Sequence, residues 1–253
     1  MSFLPGLDVL AFGRVLKTHR VTQPFMASVP VWARLLGQLS PAAPPLPPSF
    51  QSYAAGVKHI SWLERCVTVV QAALEALPEP IDTLVVPTSR TLQRPPDGCA
   101  AAVAHALVGP QLVGAIEVLN PRRRWLPVGH AVATAGGDAP FGHLVLAVGP
   151  SLGDNDKLGC LEVTYANVWS VAMDILRQDP TAARVGVVPI GTGVARCPLP
   201  AAALCALTQL SVASFEFSKA HGIRFSSVTF ICRDDPVYDA FVQAKALLLG
   251  YDT

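Results

Sequence analysis

The sequence predicts an α/β fold built on a largely parallel or mixed sheet, and three observations carry that prediction. Short apolar runs at residues 81–86, 112–118, 129–134, 143–148, 185–188 and 226–232 have the length and composition of buried strands. Longer segments of helical spacing lie among them. In residues 158–177, for example, Leu161, Tyr165, Val168, Trp169, Ala172 and Ile175 share one face. Both kinds of segment alternate through the C-terminal two-thirds of the chain, and that alternation builds layered α/β folds.

Composition sets the bounds. The chain has 253 residues, of which 51% are hydrophobic and 15% charged, enough apolar surface for a sizeable core and too much for wholesale disorder. The formal net charge of +1 provides no bulk field toward nucleic acid or an anionic membrane. Six cysteines, Cys66, Cys99, Cys160, Cys197, Cys205 and Cys232, form no C-x-x-C pair. They read as free thiols of a reducing compartment, with no metal site expected. No basic stretch precedes an apolar run near residue 1, and no apolar stretch reaches membrane-spanning length without interruption. The expectation is a cytosolic protein, in a cell or a host cell, or a nuclear one, with no membrane partner.

The elements follow in order. Residues 8–15 read as a strand and 31–39 as a short helix. The tract PAAPPLPP at 41–48 admits neither a regular helix nor a central strand and reads as an extended connector, with a ligand for a proline-binding module as the alternative. Ser61 and Glu64 have capping-box spacing, so a helix is expected from 61 to 77, stopped by Pro78 and Pro80. The strand at 81–86 leads to a polar loop, 87–98, and a small-residue helix, 99–108. Strands at 112–118, 129–134 and 143–148 come next, then the helix over 158–177. After the strand at 185–188, a helix covers 199–221. The last strand is 226–232, followed by Asp235 as helix cap, Pro236 in the first turn, and a terminal helix to 249. The division expected is a 1–60 extension and a 61–253 domain.

The stretch 185–199, VGVVPIGTGVARCPL, carries the main functional signal. A short strand runs into a loop with Gly191 and Gly193 around Thr192, and Pro198 precedes a long helix. Glycines let a backbone approach an anion closely, and the free amides of a helix start carry partial positive charge. No Lys-Ser or Lys-Thr follows, so this is not a Walker A loop, and no acidic residue stands where a dinucleotide fold needs one. The alternative is a plain strand-to-helix turn.

With these residues in place, the chain from about residue 81 resembles the macrodomain family, the ADP-ribose-binding α/β/α fold. Three stretches carry the resemblance: LPVGHAVATAGGDAPFGHLVLAVGP at 126–150, the helix and glycine loop from 158 to 203, and SSVTFICRDDPVYDAFVQA at 226–244. It implies a three-layer α/β/α fold with a mixed central sheet, preceded by an extra N-terminal segment. It also implies a ligand, ADP-ribose or an ADP-ribosylated protein, and no cofactor. The amides of Gly191, Thr192, Gly193, Val194, Ala195 and Arg196 would face the diphosphate. The other wall would come from Thr88, Ser89, Gly98 and Cys99, and Phe230 would stand where the family places its adenosine pocket.

The departures bear on catalysis. Hydrolases of the family carry Asn-Ala-Ala-Asn after the second core strand; here Val86, Pro87, Thr88, Ser89 and Arg90 stand there. Ala101 falls where the family has its acid, leaving Asp97 as the weak catalytic candidate. Alanine cannot act on water, and a permanently protonated arginine is a poor base. The expectation is a reader with weak or no catalysis, the alternatives being an ADP-ribosyl hydrolase and a degenerate module that contacts protein or RNA. Arg122, Arg123, Arg124 and Trp125 form the one compact basic run; with no supporting net charge a solvated loop is its expected role, the alternative being contact with phosphates while the tryptophan stacks on a base. His105, His130 and His143 lack the spacing of a triad or a metal site and read as structural or surface histidines.

Overall fold

The computed structural model describes residues 49–77, 79–94 and 98–251. The readings at 8–15, 31–39 and 41–48, and Asp97 itself, fall outside the described residues. The chain divides into two compact units, one of residues 1–65 with 246–253 and one of residues 66–245.

In the first unit the helix α1, Phe50–Cys66, starts well before the expected capping box. Ser49 Oγ accepts from the Ser52 amide at 3.1 Å, the contact of a helix cap. Ser61 therefore lies inside the helix. His59 and Trp62 stack with ring centroids 5.9 Å apart, and the Tyr251 hydroxyl meets the Glu64 carboxylate.

The second unit is built on six strands in the order β1-β6-β5-β2-β4-β3. They are β1 (Val67–Gln71), β2 (Thr83–Thr88), β3 (Ala131–Ala135), β4 (His143–Val148), β5 (Arg184–Val187) and β6 (Ser227–Cys232). All neighbours pair parallel except β3, which runs antiparallel to β4. The mixed sheet and α/β class are as expected. Strand β1 corrects the helix expected over 61–77. Val67, Thr68, Val69 and Val70 are all β-branched, which favours a pleated strand. The strand sits in register with β6 from Val67 opposite Val228 to Gln71 opposite Cys232.

Helices α2 (Ala100–Val108) and α3 (Gln111–Leu119) cover one face of the sheet. Their Ala104, Val108, Leu112 and Ile116 pack with Leu84, Val86, Leu144, Leu146 and Ile231. Helix α3 replaces the strand expected over 112–118. Of its nine residues only Leu112 and Ile116 are buried, a single i, i+4 stripe, while Val113 and Val118 are exposed. On the other face lies α4 (Lys157–Gln178), with α5 (Leu199–His221) packed along it and α6 (Asp235–Leu249) beside β6. Every residue of the predicted α4 stripe, from Leu161 to Ile175, is buried. Helix α5 is, among the described residues, long and apolar enough to cross a membrane by length and composition, although Pro200, Glu216 and Lys219 interrupt it. Its Ala202, Ala206, Leu207 and Leu210 are instead buried within the unit.

The edge of the sheet where β2 and β5 begin is locked by one ion pair. Asp82 accepts from the Arg184 amide at 2.8 Å and from its Nε at 3.0 Å, and its own carbonyl receives the Gly142 and His143 amides. The hydrogen bonds from Arg184 hold the Asp82 carboxyl below its usual pKa. A depressed carboxylate pKa contributes stability that is present above the unfolded value, about 3.9, and is lost as pH falls through the folded one. Asp82→Asn is therefore expected to lower Tm at neutral pH, with the gap from wild type closing from about pH 4 downward. Thermal melts across the acid range check this. A gap that persists unchanged at low pH would assign the loss to packing instead.

Candidate functional site

The parallel strands of this sheet all point their C-terminal ends to one edge, where open α/β sheets bind ligands. Four loops meet there, following β2, β4, β5 and β6.

The loop after β5 is the centre. Val188 still donates to Val85 of β2 at 2.9 Å, so the loop leaves the sheet under control. The Ile190 amide then donates to the hydroxyl of Tyr165, which is wholly buried on α4, at 2.9 Å. Burial raises that phenol's pKa, so the hydroxyl is neutral and free to accept. Beyond Ile190 the carbonyls turn inward. Gly191 accepts from the Cys197 amide at 3.0 Å, Gly193 from the Arg196 amide at 2.9 Å, and Ala195 from Lys157 Nζ at 2.8 Å. Among the described residues none of the five successive amides from Gly191 to Ala195 donates a backbone hydrogen bond. Carbonyls tied inward and a run of amides left over make an anion-binding concavity, and the start of α5 follows within a few residues.

Two positions in this loop take a left-handed backbone. Gly191 has φ +84°, and a Cβ there would lie 2.9 Å from Leu161 and 3.0 Å from Cys197 Sγ. Arg196 takes φ +53° and is exposed. Gly193 is outside the left-handed region, and the space a Cβ would take there is open to at least 4 Å. Thr192 closes the turn with Oγ1 on the Pro189 carbonyl at 3.3 Å, and Val194 is 86% exposed.

The opposite wall comes from the loop after β2. Thr88 ends the strand with its hydroxyl buried and without a hydrogen-bond partner. Ser89 is exposed, 3.3 Å from Thr91 Oγ1. Arg90 is held by Asp154 of the loop after β4 at 3.2 Å and lies 5.9 Å from the Trp125 ring centroid. Gly98, at φ +91°, accepts from Arg233 of the loop after β6 at 3.3 Å. Cys99 caps α2 through its carbonyl, which receives the Ala102 and Val103 amides. Thr88, Ser89, Gly98, Cys99 and the 191–196 loop therefore all lie at this one edge.

Phe230 does not line the edge. It is completely buried, with Trp169 6.5 Å and Phe241 4.9 Å from its ring centroid. The adenosine wall expected from it is corrected to a core aromatic. The sequence reading missed Tyr165, Asp154 and Lys157. Only Lys157 left a signal: a cation in the first turn of a helix opposes the dipole, so something else must hold it.

Among the described residues, neither Arg90 nor Ala101 is poised as a nucleophile or base. Arg90 is ion-paired, and Ala101 offers only a methyl group that is 4% exposed. Burial raises the pKa of Cys197, and burial with Asp154 and Asp156 raises that of Cys160, so both thiols are neutral. Burial and then Arg94 lower the pKa of His105, so it too is uncharged. Among the described residues no three His, Cys, Asp or Glu side chains cluster to hold a metal.

A mixed sheet covered by helices on both faces defines an α/β/α protein. The Macro domain family profile matches residues 87–206. An O-acetyl-ADP-ribose deacetylase of Enterobacter cloacae is 31% identical over 133 residues, covering 52% of this chain and 68% of that protein. Its counterpart in Citrobacter koseri is 29% identical over 133 residues, covering 52% and 70%. The Oceanobacillus iheyensis macrodomain solved with ADP superposes with a TM-score of 0.59 at 18% identity, over 72% of this chain and 90% of that one. The Trypanosoma brucei macrodomain solved with ADP-ribose gives 0.56 at 21%, over 82% and 75%. The chain belongs to the macrodomain family.

Proposed function

We propose that the cleft at the strand ends binds ADP-ribose or a related nucleotide diphosphate, free or on a modified protein, with weak or no turnover. The observation that carries this is the run of amides from Gly191 to Ala195, whose neighbouring carbonyls are tied inward. A diphosphate is the ligand such a row fits, because each anionic oxygen can take a short, charge-assisted hydrogen bond from the backbone. The family relatives support the choice of nucleotide: two act on O-acetyl-ADP-ribose by name, and two structural neighbours were solved with ADP and ADP-ribose. A cytosolic, nuclear or host-cell setting belongs to the same proposal.

The named activity of the relatives favours a second reading, hydrolysis at the ribose. Such a reaction needs a water held and deprotonated beside the reacting carbon. Ser89, Arg90 and Ala101 offer no base for it, which supports the binding reading. Incubation with mono-ADP-ribosylated protein and with O-acetyl-ADP-ribose tests the choice. The expected result is binding of ADP-ribose without appreciable release of product. Robust turnover that Asp97→Ala abolishes would make the protein a hydrolase working through Asp97.

A further inference from the structure

Residues 120–126 form a turn that the cleft does not account for. Asn120, 5% exposed, organises it: its Oδ1 accepts from the Arg124 amide at 2.9 Å, and its Nδ2 donates to the Arg124 carbonyl at 2.9 Å and the Thr91 carbonyl at 3.3 Å. The Arg123 amide donates to the Asn120 carbonyl at 2.9 Å, and Arg123 takes a left-handed φ of +47°. The Leu126 amide closes the turn on the Arg90 carbonyl at 2.8 Å. The turn is thus stitched at both ends to the loop after β2. What it presents is unusual for a solvated loop: Arg122, Arg123 and Arg124 exposed in succession, then Trp125 at 78% exposure. An indole combines a large apolar face with a polar N–H, which is why tryptophan is enriched where proteins meet partners. The Arg90 guanidinium, itself held by Asp154, lies 5.9 Å from the ring centroid.

We propose that this turn is a docking surface for single-stranded nucleic acid, with Arg122 and Arg124 on phosphates and Trp125 stacked on a base. Arg123 lies 3.9 Å from Glu117, which partly neutralises it, whereas Arg122 and Arg124 have no ion pair among the described residues. An acidic peptide would satisfy the guanidinium groups but offers nothing flat to an open indole. A single strand offers phosphates and unstacked bases together, and base–aromatic stacking tolerates any sequence. The fixed turn lowers the ordering cost of binding. The surface is independent of the 191–195 amides and adds a second ligand class to the molecule.

Fluorescence anisotropy with labelled single-stranded oligo(U) of about twelve nucleotides tests it. Oligo(U) lacks adenine, which separates this surface from a nucleotide cleft. The expected result is saturable binding at low salt that weakens as salt rises. Trp125→Ala should cost roughly tenfold, and Trp125→Phe should recover most of it. The Arg122→Ala, Arg124→Ala double variant should flatten the log–log salt slope by about 1.4, at about 0.7 for each phosphate no longer neutralised. Affinity for ADP-ribose, measured in parallel, should be the same in all variants, so failure of the cleft reading would not touch this one. No saturable binding, binding unchanged in the variants, or displacement by poly-glutamate as readily as by unlabelled oligo(U) would each overturn the proposal.

Discussion

Gly191→Val should remove ADP-ribose binding and destabilise the protein at the same time. The residue sits at φ +84°, where a β-branched side chain is strained by roughly 1–2 kcal/mol. Its Cβ would also lie 2.9 Å from Leu161, which is wholly buried and has no room to retreat, and 3.0 Å from Cys197 Sγ. Overpacking of this kind typically costs about 1–3 kcal/mol more. At about 2–4 °C per kcal/mol for a domain of this size, Tm should fall by something near 10 °C. The relief available is movement of the loop, which would break the Cys197-to-Gly191 and Ile190-to-Tyr165 bonds that aim the amides. Scanning calorimetry and a ligand titration check both halves. A variant with wild-type Tm and affinity would mean that the left-handed turn is not needed.

Gly193→Glu should separate binding from stability. The left-handed backbone in this loop falls on Gly191 and not on Gly193. Gly193 is exposed, outside the left-handed region, with open space where a Cβ would stand. The variant should therefore fold with little change in Tm. Binding is another matter. A carboxylate a few ångströms from a diphosphate is opposed by several kcal/mol at an effective dielectric of about 20, so affinity should fall by roughly a hundredfold or more even after salt screening.

The legible parts of this fold share a physical cause. Helix α4 is readable because six buried positions recur at helical spacing, and β4 because five buried apolar residues in a row, too few for a helix, fit a strand hidden on both faces. Helix α3 is not, because its apolar residues outnumber its buried ones; Val113 and Val118 face solvent, and composition alone cannot tell an exposed valine from a buried one. The β-branched run of β1 merges with the preceding helix in the sequence because the strand's warrant is its pairing with β6, far away along the chain. At the site, the Gly-Thr-Gly spacing marks the loop after β5, and of its glycines Gly191 is the one whose left-handed backbone favours the residue. The groups that aim the loop leave almost no trace. Tyr165 reads as one more member of an apolar stripe, and its hydroxyl's role depends on where Ile190 falls in space. Phe230 goes the other way: its place at the end of β6 suggests a pocket, but side chains alternate along a strand and this one points into the core.

The central claim is that the 191–195 amides hold a diphosphate. Isothermal titration of ADP-ribose into wild-type protein and into Gly193→Glu, both shown by circular dichroism and thermal melting to be folded, tests it most directly. The account predicts saturable binding to wild type and affinity weaker by roughly a hundredfold or more in the variant. A folded Gly193→Glu protein that binds ADP-ribose as tightly as wild type would contradict it and reduce the loop to a strand-to-helix turn.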